Sequence, residues 1–224
     1  MFLETSMTLL RDAAGGSQRA REEFARAYLP VVRAYLTARW RHRLSPEELE
    51  EAVQELFIAC LRDGGLLERI DVSGQHSFRA YLFGAVRNIA LELERSRRRR
   101  EVRAKAPEHA EGAPVDEESL SLLFDSEWAR GIVRRARALY TEKAAASGAA
   151  MQRRVELLAL RFGQGLQNRD IAERWDMNPK RVQKDYAQAK QEFSDCLRAV
   201  IGFDNPGRPE VVAKEFAQLP ELLR

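Results

Sequence analysis

Apolar residues recur along the chain at spacings of three and four, and strand-like alternation is scarce, so the pattern predicts helices that each bury one stripe. Phe24, Tyr28 and Leu29 form the first stripe. Pro30 is expected to end that helix, because proline lacks a backbone donor and crowds the preceding turn, and to start the next, with Val31, Val32, Tyr35, Leu36 and Trp40 facing the core. Ser45-Pro46-Glu47-Glu48 then places a hydroxyl at the N-cap, proline at the first helical position and a carboxylate three residues after the cap. Leu49, Val53, Leu56, Phe57, Cys60 and Leu61 follow as the apolar face. Gly64-Gly65 offers a helix ending, Leu66 to Ile70 allows a short helix, and Ser73-Gly74 marks a turn. From near Ser77 a long helix is predicted, with the stripe Phe78, Tyr81, Leu82, Ala85, Val86, Ile89 and Leu93 and an arginine run in its final turns, where cations suit the negative end of the helix dipole.

Between Ala104 and about Phe124, two prolines, one glycine and an excess of acid interrupt the periodicity, which predicts a mobile linker. A second domain opens with Trp128, Ile132, Val133, Ala136 and Leu139. An Ala/Ser/Gly stretch at 144–150 separates it from a helix through Leu157, Leu158 and Leu160. Gly165 to Phe193 has helix-turn-helix spacing: Ile171, Ala172 and Trp175 on the first helix, Asp176-Met177-Asn178 between, and Val182, Tyr186, Ala189 and Phe193 on the second. Small Ala172 lets the helices approach, Met177 plugs the corner, Asn178 caps the second helix and Pro179 starts it. The exposed side chains early in that helix are Lys180, Arg181, Gln183, Lys184 and Ala187, placed to reach base edges in a major groove. A purely structural hairpin has the same pattern. The expected architecture is all-α: two small helical domains, 1–103 and 126–201, joined by an acidic flexible linker, 104–125, and followed by a C-terminal extension, 202–224.

Charge sharpens this picture. Lys+Arg exceeds Asp+Glu only by 37 to 34 in 224 residues, so basic character must come from segregation along the chain. Arg95, Arg97, Arg98, Arg99, Arg100, Arg103 and Lys105 face a single acid, Glu101, whereas 106–127 holds acids and neither lysine nor arginine. A polyanion-binding segment beside an acidic connector fits, although a solvated helix end would also carry such a run. The two cysteines, Cys60 and Cys196, sit in helical apolar patterns and suggest neither a disulfide framework nor a metal site. Met1 to Leu10 contains Glu4, lacks a basic leader and is too short in apolar length for a signal peptide or membrane span, so a cytoplasmic location is expected. His42, His76 and His109 have no matching Cys, Ser or carboxylate arrangement, and no phosphate loop or metal spacing occurs. The expectation is a protein that is not an enzyme and uses no cofactor and no metal.

Taken together, the two halves resemble the extracytoplasmic-function (ECF) sigma factors of bacterial RNA polymerase, over roughly residues 20–103 and 126–201. PEELEEAVQELFIACLR is similar to the family's polymerase-binding helix, FRAYLFGAVRNIALELERSRRRR to its minus-ten-reading helix, and LLALRFGQGLQNRDIAERWDMNPKRVQKDYAQAKQEF to its minus-thirty-five-reading domain. The FDSEWAR segment and the extension resemble a planctomycete-type subgroup. The resemblance implies transcription initiation by a DNA-binding factor whose partners are core RNA polymerase and promoter DNA, with an anti-sigma factor or regulatory kinase as an open further partner and no membrane.

By the same resemblance Glu48, Gln54, Glu55 and Phe57 meet polymerase. The unpaired minus-ten strand falls to the loop Ser73 to Ser77, with Gln75, His76 and Ser77 as its contacts, and to Phe78, Arg79, Tyr81, Arg87 and Asn88, with Arg95 and Arg97 to Arg100 on phosphates. A core role is the alternative for Phe78 and Tyr81, and for Phe78 it fits equally well. The minus-thirty-five set is Asn178, Lys180, Arg181, Gln183, Lys184 and Lys190. The linker acids Glu108, Glu111, Asp116, Glu117 and Glu118 would mimic RNA in the polymerase exit path. Four positions depart from the family's pattern: Asp185 and Gln188 stand where further basic residues are usual, Asp176 replaces the glycine of the turn, and Gly84 sits inside the minus-ten helix, where glycine costs about 1 kcal/mol relative to alanine. The extension, with Phe203, Val211, Val212, Phe216, Leu219 and Leu222, is expected to dock on the second domain or to gate access to DNA. The rival reading is a stand-alone helix-turn-helix regulator of duplex DNA, which accounts for the C-terminal half alone.

Overall fold

The structure is a computed structural model, and it describes residues 8–9, 12–13, 15–41, 43–61, 77–104 and 116–224. All elements among them are helical, so the fold is all-α. Helix α1 (Gln18–Arg39) begins where the Ser17 hydroxyl accepts the Ala20 N–H at 3.3 Å, satisfying one of the first turn's unpaired donors. It continues through Pro30, correcting the break expected there. Phe24, Tyr28, Val31, Val32, Tyr35 and Leu36 form one stripe across the proline, each at most 1% exposed. Burying such side chains stabilises by about 1.5–3 kcal/mol apiece, which outweighs a cost of roughly 3 kcal/mol for one interior proline.

Helix α2 (Pro46–Leu61) starts with the reciprocal cap that its sequence predicts: the Glu48 N–H donates to Ser45 Oγ at 3.2 Å, and the Ser45 N–H donates to Glu48 Oε2 at 2.7 Å. It packs against α1 and against α3 (Phe78–Ala104), whose Leu82, Ala85, Val86, Ile89 and Ala90 are buried. The elements proposed between Gly64 and Ile70 and the Ser73-Gly74 turn lie outside the described residues.

Helix α4 (Glu117–Ser147) overturns the linker expectation for its own residues. Leu120, Phe124 and Trp128, four apart, make a single buried stripe. Trp128 stacks on Tyr28 with ring centroids 5.5 Å apart, and Phe124 meets Tyr35 and Phe83 edge-on. The polar residues that dominate the start of α4 hide this stripe from a composition argument. A buried arginine fastens the same three helices. Arg39 donates from Nε and Nη2 to the two oxygens of Glu94 at 2.9 and 3.2 Å, and from Nη1 to Glu117 at 2.9 Å and to the Tyr35 hydroxyl at 3.1 Å. Trp40 adds an indole N–H to Glu94 at 2.8 Å.

After Gly148, whose φ of +94° suits glycine, come α5 (Ala149–Gly163), α6 (Asn168–Arg174), α7 (Pro179–Asp204) and α8 (Pro209–Leu222). The chain divides into two compact units: Met1–Gly131 with Gly202–Arg224, and Ile132–Ile201. The expected domain limits therefore shift. Residues 126–131 belong with the first unit, because Trp128 fills its aromatic core, and the extension is grouped there too. No described helix is long and apolar enough to cross a membrane.

Candidate nucleic-acid interface

The second unit builds a helix-turn-helix from local signals that agree. Leu157 and Leu160 of α5, Ile171 and Ala172 of α6 and Val182 of α7 form its buried core, with Leu166, Trp175, Met177 and Tyr186 packed around them. Asp170 accepts the Gln167 N–H at 2.9 Å, which closes the start of α6. The corner is made by Asp176 at φ +49°, a left-handed conformation that aspartate enters at modest cost. It lets the Met177 N–H reach the Ala172 carbonyl at 2.8 Å. Asn178 Oδ1 then accepts the Lys180 N–H at 2.9 Å, and Pro179 opens α7.

This corner leaves Lys180, Arg181, Gln183, Lys184, Ala187 and Lys190 exposed, with Val182 and Ala189 buried between them. Cations at a helix N-terminus, beside backbone N–H groups, suit a phosphate or an acceptor-rich base edge. Two predicted residues have structural work as well. The Asn178 side chain caps the helix, and the Lys190 ammonium lies 4.9 Å from the Tyr186 ring centroid, where Arg161 also sits at 5.1 Å. The base of α7 is braced by Glu192, which accepts from the Tyr140 hydroxyl at 2.8 Å and from Arg154 Nε and Nη2 at 2.9 and 2.8 Å. Burial works to raise the Glu192 carboxyl, but the hydrogen bonds from Arg154 and Tyr140 prevail and hold it below its ordinary value. The Tyr140 phenol is raised by burial and by its bond to that carboxylate. The sequence offered no sign of this brace, since the three residues are joined only by the fold.

In the first unit the predicted minus-ten residues separate into engaged and exposed groups. Phe78 is a core residue, 4% exposed, with its ring 5.3 Å from that of Tyr28 and 5.9 Å from that of Trp128. This is the core placement that the sequence left open for Phe78. Arg79 is committed to acids: Nη1 lies 2.9 Å from Asp125 without hydrogen-bond alignment, Nε is 3.4 Å from Glu215, and Nη2 donates to Gln218 at 3.2 Å. Arg87 donates to Glu117 at 2.9 Å, and Arg97 pairs with Glu48 at 3.1 Å, so one predicted DNA contact and one predicted polymerase contact hold each other. Ser77 and Tyr81 are half-buried, and Asn88, Arg95, Arg98, Arg99 and Arg100 are exposed. Gln75 and His76 lie outside the described residues.

On α2, Gln54 and Glu55 are exposed beside Ile58, which is 67% exposed, and Phe57 is half-buried edge-on to Phe24. Among the linker acids, Asp116 caps α4 by accepting from Glu118 and Ser119, and Glu117 bridges Arg39 and Arg87. These two are therefore structural anchors and not a free acidic strand. Glu118 is exposed, and Glu108 and Glu111 lie outside the described residues. Among the described residues no group of His, Cys, Asp or Glu is arranged to hold a metal ion. No protein-family model matches the chain, and no curated protein matches it either.

Proposed function

We propose that the chain is a bacterial RNA polymerase sigma factor of the ECF type, a non-enzymatic protein of the cytoplasm that joins core polymerase and directs it to promoter DNA. The observation that carries this reading is the pairing, in one chain, of a helix-turn-helix with an exposed cationic start to α7 and a separate helical unit whose α3 ends in exposed Arg95, Arg98, Arg99 and Arg100. In this reading α7 enters the duplex major groove at the minus-thirty-five element, with Lys180, Arg181, Gln183 and Lys184 on base edges and phosphates. The arginines of α3 hold backbone phosphates, and Tyr81 and Asn88 face the unpaired minus-ten strand by stacking and amide hydrogen bonding. Glu48, Gln54, Glu55 and Phe57 supply the polymerase contact.

One observation favours a stand-alone regulator of duplex DNA instead: Phe78 and Arg79 are engaged inside the first unit. A pull-down of the full chain with core RNA polymerase separates the two. The sigma reading requires a stable complex that then prefers forked promoter DNA over the bare duplex, and the absence of any complex would remove it in favour of the regulator.

A further inference from the structure

The start of α3 is held by the segment that follows Ile201. The Phe78 N–H, a first-turn donor with no helical partner, donates to Asn205 Oδ1 at 3.1 Å, and Asn205 Nδ2 donates in turn to Glu215 Oε2 at 3.3 Å. Glu215 and Gln218 of α8 take the side chain of Arg79 together with Asp125 of α4, and the Tyr28 hydroxyl beneath Phe78 donates to Asp204 at 2.6 Å. Asp204, Asn205 and Glu215 are all buried, whereas α8 buries only Leu219 among its apolar side chains and leaves Val211, Val212 and Phe216 half-buried. The seam is thus largely polar. A carboxylate and a phosphate are interchangeable partners for a guanidinium, so the acids on Arg79 occupy the place that a DNA phosphate would take.

We propose that residues 202–222 form an autoinhibitory strap, which holds Phe78 and Arg79 away from the unpaired promoter strand until nucleic acid and polymerase displace it. This rests on the sigma reading above. Release exchanges Glu215 and Gln218 for phosphate oxygens on Arg79 and frees the Phe78 end of α3.

The test compares the full chain with its Glu215→Gln and Gln218→Ala variants, each bound to core RNA polymerase, for affinity toward a forked minus-ten DNA and toward a minus-thirty-five duplex. Both changes preserve packing volume or shorten a half-buried side chain, and a thermal melt verifies folding. The expected result is about tenfold tighter binding of the forked DNA by the variants with unchanged duplex binding. Amide hydrogen exchange supplies a second readout in the unmodified chain: forked DNA should speed exchange across 209–222. Equal affinities in all three proteins, with α8 exchange unaltered by DNA, would overturn the strap while leaving the sigma reading intact. Failure of all three to bind polymerase would remove both.

Discussion

The hydroxyl of Tyr28 in α1 donates to the carboxylate of Asp204 at the end of α7, 2.6 Å away and 176 residues later in the chain. Both residues are buried, and the bond ties the segment after Ile201 to the aromatic core formed by Tyr28, Phe78 and Trp128. A buried hydrogen bond to a charged group contributes roughly 1.5–3 kcal/mol. Tyr28→Phe should therefore destabilise the first unit by about 2 kcal/mol in urea titration, with the aromatic packing retained; a loss under about 0.5 kcal/mol would show that Asp204 is adequately held without it.

Arg39 is the only charged side chain in the α1 stripe, and it binds Glu94 and Glu117 from α3 and α4 together. Arg39→Met should cost about 3 kcal/mol, toward the lower end for breaking a buried ion pair, since the two carboxylates keep partial contact with water. Equilibrium unfolding followed by tryptophan fluorescence measures it. A neutral result would mean that the methionine repacks the stripe and that the ion pairs add nothing net.

The φ of +49° at Asp176 makes a sharp and opposite pair of predictions. Asp176→Gly should stabilise the corner by up to about 1 kcal/mol, and Asp176→Val should destabilise it by more, because a β-branched residue resists left-handed backbone. Paired thermal melts decide the matter: equal shifts from the two substitutions would argue against strain at this residue.

Glu192 gives the second unit an acid sensitivity. Its folded carboxyl lies below the ordinary value of 4.5, despite a burial effect that acts the other way, because Arg154 and Tyr140 hydrogen bond to the ionised form. The sign follows from linkage: the stabilisation is present above pH 4.5 and is lost as pH falls below that toward the folded value. Glu192→Gln should lower stability at neutral pH and flatten its decline below 4.5, as measured by unfolding at a series of pH values. A variant curve parallel to that of the unmodified chain would place the acid response elsewhere.

On the proposed function, Lys184→Ala should weaken duplex DNA binding almost uniformly across sequences and reduce the slope of log affinity against log salt by about 0.9, the signature of one lost phosphate contact. Gln183→Ala should instead relax base preference at one position with the salt slope kept. Fluorescence anisotropy over a salt series distinguishes them, and identical behaviour of both variants would show that α7 does not enter a groove in this register.

The helix-turn-helix was legible because its determinants are close neighbours in sequence: Ala172 for the approach, Asp176 for the corner, Asn178 and Pro179 for the restart. The Ser45 cap was legible for the same reason. What escaped a linear reading was decided by partners far along the chain. Pro30 looks like a stop until the continuous burial from Phe24 to Leu36 is known. Phe124 and Trp128 read as the end of a linker and the start of a new domain, although Tyr35 and Tyr28, 89 and 100 residues earlier, are their packing surface. The burial of Asp204, Asn205 and Glu215 leaves no mark in the hydrophobic pattern, because it rests on hydrogen bonds: Tyr28 donates to Asp204, and Asn205 accepts from Phe78 and donates to Glu215. The same holds for Arg79, which the family resemblance assigned to promoter DNA and which pairs here with the internal acids Asp125 and Glu215.

Because the first unit is assembled from two stretches of chain with Ile132–Ile201 between them, its completion has a built-in order during synthesis. The contiguous unit can reach its native form as soon as it leaves the ribosome, at translation speeds of roughly 5–20 residues per second, while the discontinuous one must wait for Asp204 and Glu215 to emerge. A nascent or prematurely terminated product would therefore display a finished helix-turn-helix attached to an unfinished partner, exposing aromatic surface that quality-control proteases can recognise.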